Sequence, residues 1–309
     1  MVIGFMAAVF VMRRLSARDK LNFTLITNAS MYSLIGGVIG ARIFFVIHYF
    51  DQFRSSLWQV FAIWNGGLEF LGGVILGVGV MVFYLRYNKM PVLRTLDIMA
   101  IGLMIALGFG RIGCFLNGCC FGKPANVPWA VRFPYGSFAY TSQINSNPKR
   151  GRMEPHLKIP YRQYCYKQGD TWYPRDFKDL TPDQQKQVTV GKYRSLPVHP
   201  SQLYACLSSL SVAGILYLIW NFSMRKRRMH PDACMARDGL IVGFMFIFYG
   251  IVRYLLELSR DDNPFEYASL TISQIIGIGL IIGGIVFLVV ICSMKSHALG
   301  ADGPDKNQV

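Results

Sequence analysis

Apolar runs of about 20 residues recur along the chain, near 21–48, 71–87, 94–116, 199–222, 238–257 and 269–292. A helix of that length spans about 30 Å of hydrocarbon. A seventh stretch, MVIGFMAAVFVM at 1–12, is too short to span unaided and has no basic region before it, so it is not read as a signal peptide. Counted as a truncated first segment, it completes an all-α polytopic membrane protein of seven transmembrane helices. Composition agrees: 52% of residues are hydrophobic and 16% are charged, against about a quarter charged in soluble domains.

The net charge of +15 would suit nucleic acid, but no RNA- or DNA-binding motif accompanies it. Its distribution fits a membrane better. Arg13, Arg14, Arg18 and Lys20, then Arg86, Lys89 and Arg94, then Arg225, Lys226, Arg227 and Arg228 fall in three loops on one side of a seven-span chain. The positive-inside rule makes that side cytoplasmic, with the N-terminus outside and the C-terminus, bearing Lys295 and Lys306, inside. Residues 1–309 then form one integral membrane domain, with a cap of short strands inserted outside at 123–196. The tail 297–309 reads as disordered. No internal repeat is evident, which weakens repeat-built transporter architectures.

Three arginines lie where lipid should be: Arg42 in GARIFF, Arg111 in GFGRIGC and Arg253 in YGIVRYLLEL. A charge at the bilayer centre costs about 3 kcal/mol on insertion scales, so each needs a partner. All three lie nearer the outer ends of their segments, which predicts one shared site for an anion, because guanidinium forks favour phosphate and carboxylate. Tyr249, Arg253 and Glu257 follow i, i+4, i+8 spacing on one helical face, and Glu257 can pair with Arg253. His199, in HPSQLY at the mouth of the fifth long run, can act as a base near neutral pH. Asp97 is read as a helix cap or a headgroup-zone residue. The glycines of WNGGLEFLGG and of Gly108–Gly122 permit close approach of backbones or of a ligand. Cys206 and Cys292 are read as small core residues. Cys114, Cys119 and Cys120 cluster, but no nearby histidine completes a zinc pattern, and no metal is assigned. A disulfide there is favoured if that end faces an oxidising compartment. The residues alone thus describe a membrane protein holding a phosphate-bearing ligand, most simply a phospholipid, near the outer leaflet.

The segments GARIFFV, WNGGLEFLGG, LDIMAIGLMIALGFGRIGCFLNGCCFG, LPVHPSQLY and DGLIVGFMFIFYGIVRYLLELSR together resemble the prolipoprotein diacylglyceryl transferase family. They occur in family order, and Gly110, Arg111, Gly113, Phe115, Asn117 and Gly122 fit the family signature. The resemblance implies transfer of a diacylglyceryl group from phosphatidylglycerol to the cysteine thiol of prolipoprotein lipobox peptides, in the bacterial inner membrane and without a cofactor. It implies that Arg111 holds the lipid's phosphate; taken with the reading of the residues above, the expected site has substrate binding by Arg111, Arg42, Asn117, Glu257 and Gly122, and catalysis by Arg253, His199 and Tyr249. Leu71 stands where the family often has a catalytic histidine, Cys114 and Cys119 replace the signature's Asn and Glu, and Ala205 follows Tyr204 where an acid is common. His199 is therefore the leading base, with Tyr249, Glu69 or the arginine field alone as the other readings. The family's outer Trp-Tyr-Gly portion would precede Met1. The competing class is a non-catalytic protein that binds or transports an anionic lipid or another anion.

Overall fold

The computed structural model describes residues 2–53, 57–62, 64, 66–67, 69–230, 233–261, 265 and 270–293. The expected disordered tail, 297–309, lies outside the described residues. Four long helices come first: α1 (Val2–Arg18), α2 (Phe23–His48), α3 (Phe70–Tyr87) and α4 (Val92–Asn117). A compact insertion follows, with helices α5 (Phe138–Gln143), α6 (Tyr161–Tyr164) and α7 (Pro182–Thr189) and a hairpin of strands β1 (Cys165–Gln168) and β2 (Thr171–Pro174). Three long helices close the chain: α8 (Ser201–Met229), α9 (Leu240–Ser259) and α10 (Ile272–Ser293). Among the described residues α2, α4, α8, α9 and α10 are long and apolar enough to cross a membrane, while α3 is shorter.

Two helices run past their sequence-predicted ends. α1 reaches Arg18 and so carries Arg13, Arg14 and Arg18, which the sequence reading put in a loop. Long basic side chains tolerate this because their stems cover apolar surface: Arg14 sits over the Phe10 ring at 4.7 Å and Arg13 over Phe23 at 5.9 Å. α8 continues to Met229, placing Lys226, Arg227 and Arg228 in its last turn, where cations suit the helix dipole.

The bundle core is made by α1, α4, α8 and α9, through Met12, Leu15, Ile98, Ile101, Met104, Leu216, Trp220 and Ile241. α10 packs chiefly against α9. α2 and α3 form an antiparallel pair that contacts itself far more than the rest. Gly40 and Gly72 set that spacing: a Cβ on either would lie within 2.5 Å of the other's carbonyl oxygen. Here Gly72 and Gly73 of GGLEFLGG serve helix packing.

Cys206 is buried, as its apolar run predicts. Cys292 is not a simple core residue: it is bonded to Cys234, 58 positions away, with Cα atoms 5.0 Å apart. Cys234 lies in the short connection from α8 to α9, so the packing of α10 against α9 brings the pair together.

Asp97 does cap a helix, but not its own. Its carboxylate accepts the N–H of Gly239 at 2.8 Å and of Val242 at 3.0 Å, closing the N-terminus of α9 from α4. Gly239 has φ 91, a left-handed conformation suited to glycine, which aims the first turn at Asp97.

The insertion has its own apolar core of Tyr140, Ile144, Leu157, Ile159, Tyr164, Leu180 and Val188. Gln143 ties it together, accepting the Leu196 N–H at 2.8 Å and donating to the Leu196 carbonyl at 3.1 Å.

Asp97→Ala removes two charge-assisted bonds from a buried helix end and is expected to destabilise the bundle by about 1–2 kcal/mol. Thermal unfolding of the purified variant in detergent reads this directly, and an unchanged midpoint would contradict the cap.

Candidate active site

α4 and α9 lie side by side, and their ends nearest the insertion bring Arg111 and Arg253 within electrostatic reach of each other. Tyr249, one turn before Arg253, shares that field. Glu257, one turn after, is 1% exposed and is the anionic centre of the cluster. Its carboxylate lies 3.8 Å from Arg253, 3.9 Å from Arg260 and 3.7 Å from Arg150. Three guanidiniums thus share one buried carboxylate.

Arg150 belongs to the insertion, 107 residues from Glu257 in sequence. It donates to the backbone carbonyls of Glu257 and Arg260 and stacks on Phe265 at 5.0 Å. Next to it, Arg152 pairs with Asp261, whose carboxylate also meets His156 at 3.3 Å. The insertion is clamped to the end of α9 by arginines.

Arg111 is half-buried. Its nearest recorded partner is Cys120, with Nη1 3.9 Å from Sγ, and among the described residues no carboxylate lies within 4.0 Å of it. A planar fork of donors therefore remains available beside Arg253.

The backbone around this cluster is fixed by a three-way crossing. Residues 122 and 123 thread between the start of α8 and the end of α9: Gly122 N–H donates to His199 O at 3.0 Å, His199 N–H to Lys123 O at 3.0 Å, and Lys123 N–H to Ser259 O at 2.8 Å. A Cβ at Gly122 would meet His199 O at 2.6 Å and Ser259 O at 2.8 Å. This gives Gly122 a packing role: it lets three chain segments converge.

His199 is half-buried, and its Nδ1 lies 3.1 Å from the Tyr204 hydroxyl, which accepts the indole N–H of Trp129 at 2.6 Å. In the tautomer that donates Nδ1–H to the phenol, Nε2 is left as a base. Asn117 is the exposed last residue of α4.

Among the described residues, no ion pair or hydrogen bond joins Arg42 to this cluster. Its buried guanidinium donates to the carbonyls of Val60 at 2.8 Å, Gly66 at 2.7 Å, Gly67 at 2.9 Å and Gln59 at 2.5 Å, and stacks near Phe45 and Phe53. It anchors the connection from α2 to α3 by supplying donors to its carbonyls. The reading of three convergent arginines thus reduces to two, joined by two that sequence reasoning missed. Arg260 was within reach of that reasoning, since it follows Glu257 by three residues on the helix that revealed Arg253. Arg150 carried no such signal.

At the family's histidine position Leu71 is 58% exposed. Two residues earlier Glu69 faces His48, the last residue of α2, with Nδ1 3.5 Å from the carboxylate. The imidazole near this position comes from a different helix.

Compared with known proteins, residues 1–290 match the family described as prolipoprotein diacylglyceryl transferase. The chain belongs to the prolipoprotein diacylglyceryl transferase family. It is 26% identical over 307 residues to the phosphatidylglycerol–prolipoprotein diacylglyceryl transferase of Rhodospirillum rubrum, covering 96% of this chain and 88% of that one. It is 28% identical over 295 residues to the enzyme of that name from Proteus mirabilis, covering 93% and 84%. For the Escherichia coli O1:K1 protein of the same name the identity is 27% over 296 residues, covering 93% and 86%. The family match runs through both Arg111 and Arg253.

Glu257→Ala leaves Arg150, Arg253 and Arg260 facing one another without their shared carboxylate. Breaking a buried charge network this way costs about 3–5 kcal/mol. The variant is expected to lose its folded population in detergent, or to release the insertion to protease. A variant as stable and protease-resistant as the parent would contradict the hub role.

Proposed function

We propose that this chain transfers the diacylglyceryl group of phosphatidylglycerol to the lipobox cysteine thiol of prolipoproteins, the first step of bacterial lipoprotein maturation. Its setting is the inner membrane, crossed by α1 to α4 and α8 to α10, with the insertion and the N-terminus outside and the basic helix ends in the cytoplasm.

The observation that carries this reading is Arg111, a guanidinium with no carboxylate partner among the described residues, beside an Arg253 already balanced by Glu257. Such a pair accepts an added phosphate without first giving up an internal ion pair. In the reaction the thiol loses its proton to a base and the thiolate sulfur attacks the terminal methylene carbon of the diacylglyceryl group. A sulfur–carbon bond forms, the carbon–oxygen bond to phosphate breaks, and the electron pair leaves with glycerol phosphate. Negative charge grows on the phosphate as that bond opens, and fixed guanidiniums in a water-poor site stabilise it. Tyr249 lines the same face and Glu257 holds Arg253 in place. Asn117, at the exposed end of α4, is positioned to meet the headgroup's hydroxyls. His199, wired to Tyr204 and Trp129, is the proposed base.

Transfer of labelled lipid to a lipobox peptide is the deciding assay, because a non-catalytic anion binder would retain lipid without modifying the peptide. Arg111→Ala is expected to abolish transfer in a protein that still inserts and keeps its thermal midpoint, and Arg111→Lys to restore little, since lysine lacks the planar fork. Wild-type turnover in a folded Arg111→Ala protein would remove the phosphate assignment.

For the base, His199→Gln is expected to lower turnover by about 100-fold or more, with partial recovery as rising pH supplies thiolate directly. A near-normal rate at pH 7 would eliminate His199 and leave Tyr249, Glu69 or the arginine field to account for thiol activation.

A further inference from the structure

The turn after α4 holds a feature that the proposed transfer does not use. The sulfurs of Cys114, Cys119 and Cys120 all lie within 4.8 Å of one another, each half-buried. Adjacent residues such as 119 and 120 rarely aim at one point, and here the backbone makes them do so. α4 ends on Gly118 at φ 71, and the Cys119 N–H returns to Cys114 O at 3.2 Å. Cys120 is itself left-handed at φ 59, a conformation unfavourable for a residue bearing a Cβ. Two left-handed positions therefore curl the chain back over the last turn of α4.

The curl is locked from α8. Ser201 donates its hydroxyl to Cys120 O at 2.6 Å, and Gln202 donates its amide to Cys119 O at 2.7 Å. Gln202 is 1% exposed, and its Oε1 is buried without a hydrogen-bond partner in the described protein. A held turn, a strained residue and an unsatisfied acceptor meet at three thiols.

We propose that Cys114, Cys119 and Cys120 form a three-thiolate site for a thiophilic d10 cation, Zn2+ or Cu+. Metal–sulfur bonds of about 2.3 Å place the sulfurs about 3.8–4.0 Å apart, so each need shift by only about 0.5 Å. Sulfur-only donors favour these ions over Mg2+ or Ca2+, which prefer oxygen. Binding releases the thiol protons to solvent. The resulting cluster is anionic, and the Arg111 guanidinium, 3.9 Å from the Cys120 sulfur, supplies a charged donor to it. An occupied site therefore competes with phosphate for Arg111 and makes the cation an inhibitor of transfer. That consequence rests on the phosphate role proposed above; the metal site itself does not.

The test is zinc and copper(I) content of the purified full-length protein in detergent, reduced with a phosphine, loaded and then desalted. About one ion per chain is expected for the parent. The same content is expected for a Cys165→Ser, Cys206→Ser variant, and none for Cys114→Ser, Cys119→Ser, Cys120→Ser. A second readout needs no variant: Zn2+ should slow maleimide labelling of three thiols at least about tenfold. Cys165, buried in the insertion with its thiol pushed up to about 11 by burial, should stay unlabelled with or without metal. Substoichiometric metal in the parent, metal retained by the triple variant, or unprotected labelling would overturn the site. In the transfer assay, inhibition by zinc that vanishes in Cys119→Ser supports the competition for Arg111. Inhibition that persists there, or none despite bound metal, overturns the competition alone.

Discussion

A carboxylate at 1% exposure among three guanidiniums is costly to bury and still more costly to disrupt, and Glu257 organises much of what surrounds it. It neutralises Arg253, which would otherwise repel Arg111 unopposed. It accepts Arg150 and so pins the insertion over the end of α9. It meets Arg260 at the point where the chain leaves the helix and pairs with Gly122. The bundle and the insertion meet at this buried carboxylate.

The polar groups deeper in the bundle obey a related rule. Asp97 accepts two backbone N–H groups from α9, and Arg42 covers four carbonyls of the α2 to α3 connection. Both are charged groups in apolar surroundings whose partners are backbone atoms of another segment. In hydrocarbon a backbone group without a partner is expensive, so a charge that supplies one can stabilise irregular structure there. This separates the arginines: Arg42 holds the fold, while Arg111 keeps donors in reserve.

The turn after α4 shows how closely packing and chemistry can share residues. Gly122 is small because three backbones cross there, and the crossing holds the Cys119 and Cys120 carbonyls against Ser201 and Gln202. With backbone oxygens engaged by α8, the sulfurs gather on the side facing Arg111. The same geometry that positions Arg111 gives it a sulfur neighbour.

The sequence by itself determined the membrane class, the positions of the long helices and the face shared by Tyr249, Arg253 and Glu257. Those features depend on local periodicity and on the cost of charge in hydrocarbon, both of which can be read along a chain. Motif order also revealed the family, with Arg111 inside its signature. Tertiary structure alone decided that Arg42 serves backbone carbonyls, that Asp97 caps α9 and not its own helix, and that Cys234 reaches Cys292. It also recruited Arg150 from 107 residues away and gathered three thiols around one point. Each of these depends on which side chain meets which backbone across separate elements. Residue type and spacing do not encode that; the close packing of helices and the crossing at Gly122 impose it.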